Sequence, residues 1–254
     1  IVILLISKFI IFRFAEIPTN RMGHFALEVD IYLTRKRSET KYKTRVVDIF
    51  CKQYYDGFVC NHKLFKEFKK LIIIYPSVFV YPIIFNCKLY NIFSKHTFKL
   101  GESLDRDINN IIYSNPINLK ISNSDEGMGE KYLKKFKQNE KNFKFVTLII
   151  RDQAYLKKIF NRDYSYHNYR DGNILDYSDA CDALTKIGYH VFRMGQFVEK
   201  KLSTNNPMII DYATNGDRNE FLDIYLASKC EFTISNSTGW DALPQIFRKP
   251  ILFI

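Results

Sequence analysis

From Phe143 to Ile254 short apolar runs alternate with helical stretches, and this alternation constrains the fold more than any other feature. Phe143–Ile150 is nearly continuous in apolar residues, the pattern of a strand buried on both faces. Tyr189–Met194, Met208–Tyr212, Cys230–Ser235 and Ile251–Ile254 are further strand-like runs. Between them, Tyr177, Ala180, Cys181, Leu184 and Ile187 recur at helical spacing behind Asp176, read as a cap. Gly188 follows, where a helix end favours a residue free to take positive φ. Asp217 and Glu220 read as a D-x-x-E capping box opening the next helix. Strands alternating with helices imply a parallel sheet with right-handed crossovers.

The first half is less regular. Residues 1–14 read as a first strand, Pro18–Gly23 as a turn, Phe25–Leu33 as a helix and Val46–Phe50 as a strand. Asn61 caps a helix with Leu64, Phe65, Phe68 and Ile72 on one face. The stretch holding Pro76 and Pro82 is expected to be irregular or a broken helix. Residues 94–125 read as loops around short helices. Ser122–Asp125 and Gly127–Gly129 loosen the chain, which places a domain boundary near 120–140 and divides it into 1–135 and 136–254.

The chain has 254 residues and a formal charge of +11. Lys, Asn, Ile, Tyr and Phe are abundant and Gly is scarce, the bias of AT-rich codons, so the charge reads as a solvated surface suited to anionic substrates or an anionic membrane face. Aromatics sit mostly inside apolar runs, which argues for core and against a nucleic-acid platform. Five cysteines form no CxxC pair, and the histidines lack zinc-type spacing, as in a reduced, cytosolic chain. Asp105-Arg106-Asp107 is a D-x-D of the kind that holds a metal in some sugar transferases, but it reads rather as the first turn of a helix, where the dipole favours Asp. The start at Ile1, without Met, and the stop inside a strand-like run read as those of a fragment. The opening apolar stretch, interrupted by Lys8 and Arg13, reads as a buried strand rather than a membrane span.

Several segments could carry chemistry. Ser235, Ser237, Thr238 and Gly239 form a small-residue loop between a strand's carboxyl end and a helix start, where α/β proteins hold phosphate. Asp241 reads as the N-cap that leaves the helix amides facing this loop, with Pro244 in the first turn. Arg151 and Asp152 leave the apolar strand, with Tyr155 beyond; a charge there needs a partner or a ligand. His167 with Arg170, and Arg193 with Gly195, fall after the next segments. Three arginines at strand ends would make an anion funnel. Arg21, Gly23 and His24 join the first strand to the first helix, and His24 is placed for base work near neutral pH or for a plain polar cap.

Taken in order, Arg21-Met22-Gly23-His24-Phe25-Ala26, Arg151-Asp152-Gln153-Ala154-Tyr155, His167 with Arg170, Gly188–Gly195, Phe221–Leu226, Ser235–Pro244 and Arg248–Ile251 resemble a family of bacterial glycosyltransferases known mainly from sequence. More distantly, the R-x-G-H turn looks like that of fucosyltransferases, and the final loop and helix like those of heptosyltransferases. Ala15-Glu16 stand where the pattern has Gly-Arg, and Thr238 is an added small residue in the loop. The resemblance implies an α/β fold of two Rossmann-like domains, GT-B-like, with parallel sheets, helices on both faces and a truncated C-terminal end. It implies an acceptor domain over 1–135 and a nucleotide-sugar domain over 136–254. The activity implied is metal-independent sugar transfer to a hydroxyl of a cell-surface glycan or lipid-linked acceptor, in polysaccharide biosynthesis, without a cofactor. His24 and Asp152 become candidate bases. Arg21, Gly23, Arg151, Tyr155, His167, Arg170, Arg193, Gly195, Ser235, Ser237, Thr238, Gly239 and Asp241 become candidate donor-binding residues. The expected location is cytoplasmic, with peripheral membrane association at the inner face and no nucleic-acid partner. A nucleotide-sugar epimerase, a basic nucleic-acid-binding protein and a non-catalytic relic of the same fold remain alternatives.

Overall fold

A computed structural model describes residues 7–38, 45–53, 58–89, 95–100, 107, 110–137, 142–160 and 164–254. The chain divides into two compact units, Ile1–Leu119 and Lys120–Ile254.

The first unit is built on three parallel strands, β1 (Ile10–Ile17), β2 (Arg45–Lys52) and β3 (Ile73–Ile74), in the order β1-β2-β3. Thr97 adds a bridge to Phe14 on the free side of β1. Parallel neighbours need crossovers; α1 (Met22–Ser38) and α2 (His62–Phe68) lie on them. The first strand begins at Ile10, and residues 1–6 of the expected strand lie outside the described residues. Asn61 caps α2, its side-chain oxygen accepting the Leu64 amide at 2.7 Å. The stretch expected to break at Pro82 is instead one helix, α3 (Ser77–Leu89). A proline costs the helix one hydrogen bond, and Val80 and Ile84, packed with Phe14 and Cys51, hold the remainder in place. Asp105 and Arg106 lie outside the described residues. Asp107 spends both carboxylate oxygens on the amides of Ile111 and Ile112, at 2.7 Å each.

The second unit is a five-stranded, all-parallel sheet of β4 (Lys144–Ile149), β5 (Tyr189–Arg193), β6 (Ile209–Ile210), β7 (Thr233–Ser235) and β8 (Ile251–Phe253). The order is β6-β5-β4-β7-β8. Side chains alternate across the sheet. Val146, Leu148 and Ile150 face one way, onto Val191, Ile209, Ile234 and Cys181 of α6 (Ser178–Lys186). Phe145 and Phe192 face the other way, with ring centroids 5.1 Å apart, and Phe136 meets Phe192 at 5.2 Å. On that side α4 (Asn123–Leu133) approaches α7 (Glu220–Lys229) so closely that a Cβ on Gly129 would lie 2.2 Å from the Tyr225 ring. Gly129 thus ties α4 to the second unit, although the sequence assigned this stretch to the first half. Helices cover both faces, and the unit is α/β as expected.

Two helix starts differ from the sequence reading. Asn173, not Asp176, caps a 3-10 turn over Ile174–Tyr177 that runs into α6. Asn219, not Asp217, caps α7, accepting the Leu222 amide at 2.9 Å. In both, an Asn two or three residues earlier or later holds the extended backbone that a cap requires. Gly188 takes φ 88° at the end of α6, as the sequence implies. All five cysteines are buried, and none forms a disulfide. Among the described residues, no helix is long and apolar enough to cross a membrane.

Candidate functional site

The strand order puts β4, the first strand of the second unit, beside β7, the fourth. Chain connections leave these two strands in opposite directions, and ligands in open α/β sheets bind outside the carboxyl ends at such a switch point. Here that point is built around Asn236, the residue after β7. Its side-chain oxygen accepts the Arg151 amide at 2.7 Å, and its Nδ2 donates to the Arg170 carbonyl at 2.8 Å. The Gly172 amide donates to the Arg151 carbonyl at 2.9 Å. A Cβ on Gly172 would meet the Ile150 side chain at 2.8 Å and Asn236 Nδ2 at 3.1 Å, so this crossing needs a glycine.

The charged groups sit on this frame. Arg151 donates through Nη1 to the His167 carbonyl at 2.7 Å and to the Asp171 carboxylate. Nε and Nη2 take no part in those bonds. Gln153 donates to Asn168 at 2.6 Å and to Asp171. Arg170 donates through Nη2 to the Ser237 carbonyl and, at 3.2 Å, to the Ser237 hydroxyl. Ser237 and Gly239 are exposed, and Thr238 is half-buried. Ser237 takes φ 71°, a left-handed conformation costing a non-glycine residue about 1 kcal/mol. Its amide donates to Ser235 Oγ at 3.0 Å. Strain of this kind is held by surrounding bonds and clusters at sites that bind.

The loop's own amides are less available than expected. Asp241 stands at the N-cap position before Ala242, as expected, but makes no side-chain capping bond there, and Thr238 caps the Gly239–Asp241 turn. The Asp241 carboxylate reaches back to accept the Thr238 amide at 2.7 Å and the Thr238 hydroxyl at 3.1 Å. The Trp240 amide donates to Thr238 Oγ1 at 3.2 Å. The Thr238 hydroxyl therefore spends its proton on Asp241, and the Ser237 hydroxyl and the guanidinium groups are the candidate ligand donors. Burial pushes the Asp241 carboxyl up to about 6 against the hydrogen bonds from Ser235 and Thr238. Pro244 lies in the first turn of α8 (Ala242–Ile246), as expected.

The other expected residues divide. Arg193 does not join Arg151 and Arg170: it is fully buried and donates through Nη1 to Asp211 at 3.0 Å. It shares its register position with Leu148, so its side chain enters the sheet face lined by Val191 rather than leaving the rim. Its Nε and Nη2 are buried without a hydrogen-bond partner. Asp152 is not placed as a base. Its two oxygens accept the amides of Ala154 at 2.9 Å and Glu199 at 2.8 Å, which holds the 195–202 segment to the start of α5 (Ala154–Ile159). Tyr155 is half-buried, its ring 6.2 Å from Phe197. Gly195 makes a turn in which a Cβ would lie 2.6 Å from Val198. His167 is half-buried, its ring tilted against Tyr166 with centroids 4.1 Å apart.

In the first unit, Arg21, Gly23 and His24 lie where β1 passes into α1. The Arg21 carbonyl accepts the Phe25 amide at 2.9 Å. His24 Nδ1 lies 2.6 Å from Glu28 Oε1, with 43% of its side chain exposed. A carboxylate on one ring nitrogen fixes the tautomer and leaves Nε2 to act as an acceptor.

Sequence reasoning missed Glu28, Gln153, Asp171, Gly172 and Asn236. The Asp171-Gly172 pair and the Asn among small residues were visible turn signals; their partners, up to 85 residues away, were not.

No family model and no curated protein matches the sequence. Among solved structures the chain is similar to ADP-heptose LPS heptosyltransferase II of E. coli, with a TM-score of 0.53 and 9% identity, over 94% of this chain and 83% of that one. It is similar to a glycosyl transferase family 9 protein of Veillonella parvula DSM 2008, with a TM-score of 0.53 and 10% identity, over 94% and 79%. The chain therefore has the α/β, GT-B-like fold of these glycosyltransferases.

Proposed function

We propose that the protein is a glycosyltransferase that binds the diphosphate of a nucleotide-sugar at the carboxyl ends of β4 and β7 and moves the sugar to an acceptor hydroxyl. One observation carries this reading. Asn236 ties Arg151 to Arg170, and Arg170 holds the Ser237 hydroxyl, at the switch point of a sheet that has a glycosyltransferase fold. Transfer breaks the bond between the anomeric carbon and the diphosphate oxygen, and the leaving diphosphate gains negative charge. Fixed donors aimed at that charge lower the barrier, and a guanidinium fork suits two phosphate oxygens at once. The reading gives this neutralisation to Arg151 and Arg170 rather than to a metal ion. Tyr166 and Tyr169, 65% and 82% exposed beside them, offer ring faces to a base or sugar.

The acceptor hydroxyl must lose a proton as it attacks. His24, oriented by Glu28, is the group proposed to take it. A glycan or lipid-linked acceptor held by the first unit, at the cytoplasmic face of a membrane, completes the proposal.

The test is a thermal-shift panel of nucleoside diphosphates and nucleotide-sugars on the wild-type chain and on Arg170→Ala, a half-buried residue whose loss spares the Arg151–Asp171 pair. A diphosphate should raise the melting temperature, and Arg170→Ala should weaken binding at least tenfold, about 1.4 kcal/mol. A folded protein that responds to no nucleotide, or a variant that binds as well as wild type, would overturn the assignment.

A further inference from the structure

Helix α3 turns Val80, Ile84 and Cys87 inward to close the first unit's core over Phe14 and Cys51. Its outward side is apolar as well. Val78, Phe79, Phe85 and Leu89 are 63%, 69%, 52% and 62% exposed, and Leu71, Ile73 and Tyr75 extend the exposed strip toward α2. No residue from 71 to 87 is charged. A surface helix ordinarily presents polar groups outward, and exposed apolar patches of this extent mark a partner.

The surroundings say which partner. Between Phe58 and Leu100 the sequence holds seven lysines and one acid, Glu67. Lys69 and Lys70 stand exposed at the end of α2, directly before Leu71. Lys88 lies in the last turn of α3, 3.6 Å from Glu16, with half its side chain exposed. Lys95 and Lys99 follow, both exposed. A second copy of this chain seated on the strip would set lysines against lysines. An anionic lipid surface would meet both the rings and the charges.

We propose that α3 and the strip 71–75 dock this protein on anionic bilayers, with α3 lying in the plane of the interface. A helix of thirteen residues, roughly 20 Å long, rests in the headgroup region and does not span it. Phe79 and Phe85 enter the acyl boundary, and the lysines stay at headgroup level. This inference does not depend on the sugar-transfer reading.

Vesicle co-sedimentation of the full chain tests it without any nucleotide. Vesicles with roughly one third phosphatidylglycerol in phosphatidylcholine should bind at least tenfold more protein than pure phosphatidylcholine. The excess should disappear near ~0.5 M salt, where charges are screened. The double variant Phe79→Asp/Phe85→Asp should lose binding tenfold or more with unchanged circular dichroism and melting temperature. Lys69→Glu/Lys70→Glu should lose only the preference for the anionic vesicles. Wild-type protein that leaves vesicles unbound, or a double variant that binds as wild type, overturns the proposal. So does a wild-type dimer that the double variant converts to monomer, since the strip is then an interface between copies. The nucleotide panel is run without lipid, so either result can fail alone.

Discussion

In the first unit, the buried carboxylate of Asp48 receives Arg13 at 2.7 and 3.1 Å, the Tyr32 hydroxyl at 2.7 Å and Lys36 at 2.9 Å. Burial raises its pKa, but these bonds together outweigh burial and hold it below the usual range. In the second unit, Asp223 is buried with Arg218 at 2.6 Å and the Tyr212 hydroxyl at 3.2 Å, and burial wins, pushing it up to about 6. Asp241 is displaced in the same direction, and the buried Arg193 keeps two nitrogens without partners. The same problem, a charge inside a parallel α/β unit, is thus answered fully in one half and incompletely in the other. Incompletely answered charge is dear in stability, and it collects where a protein binds or reacts.

Three measurements would sharpen or break this contrast. The largest effect belongs to Asp48→Asn, which leaves Arg13 and Lys36 without their anion. A loss of about 3 kcal/mol is expected in chemical denaturation of the first unit. A loss below ~1 kcal/mol would mean that the network is not the keystone the contrast requires. Next is Gly129→Ala, which drives a methyl group into the Tyr225 ring where α4 meets α7. The second unit should lose about 1–3 kcal/mol, and amide exchange should rise along α4 and α7 while the first unit is unchanged.

The smallest effect is in pH. Asp223 and Asp241 hold their protons more tightly folded than unfolded. Their favourable contribution is therefore complete below about pH 4 and is lost as pH rises to about 6. Asp48 runs the other way: its contribution is present above about pH 4 and lost as pH falls. Exchange protection measured separately for the two units should fall in the second and hold in the first across pH 4–6. Asp223→Asn should flatten the slope of the second unit, and an unchanged slope would remove Asp223 from the comparison.

What was legible in the sequence shares a physical cause. Asn61 as a cap, Gly188 as a helix end and the five strand-like runs of the second half depend on neighbours within a few residues, where local sterics and hydrogen bonding decide. The capping errors at Asp176 and Asp217 arose where several Asn and Asp residues stood within one turn, and only the backbone angles choose among them. Pro82 misled because a proline's local cost was outweighed by the burial of Val80 and Ile84. At the candidate site, Arg151 and Arg170 were both named, but what joins them was not. Asn236 reaches across 85 and 66 residues. Arg193 was misplaced because a strand end does not say which sheet face its last side chain will enter.

The order of apolar runs and helical stretches, by itself, determined that the second half is a parallel α/β sheet, since hydrophobic periodicity is a local property of the chain. Only the tertiary structure decided that β4 and β7 are neighbours, that Arg170 folds onto the Ser237 loop, and that Arg193 turns inward to Asp211. Those contacts join segments tens of residues apart. Their energies depend on burial and geometry that exist only once the sheet has formed.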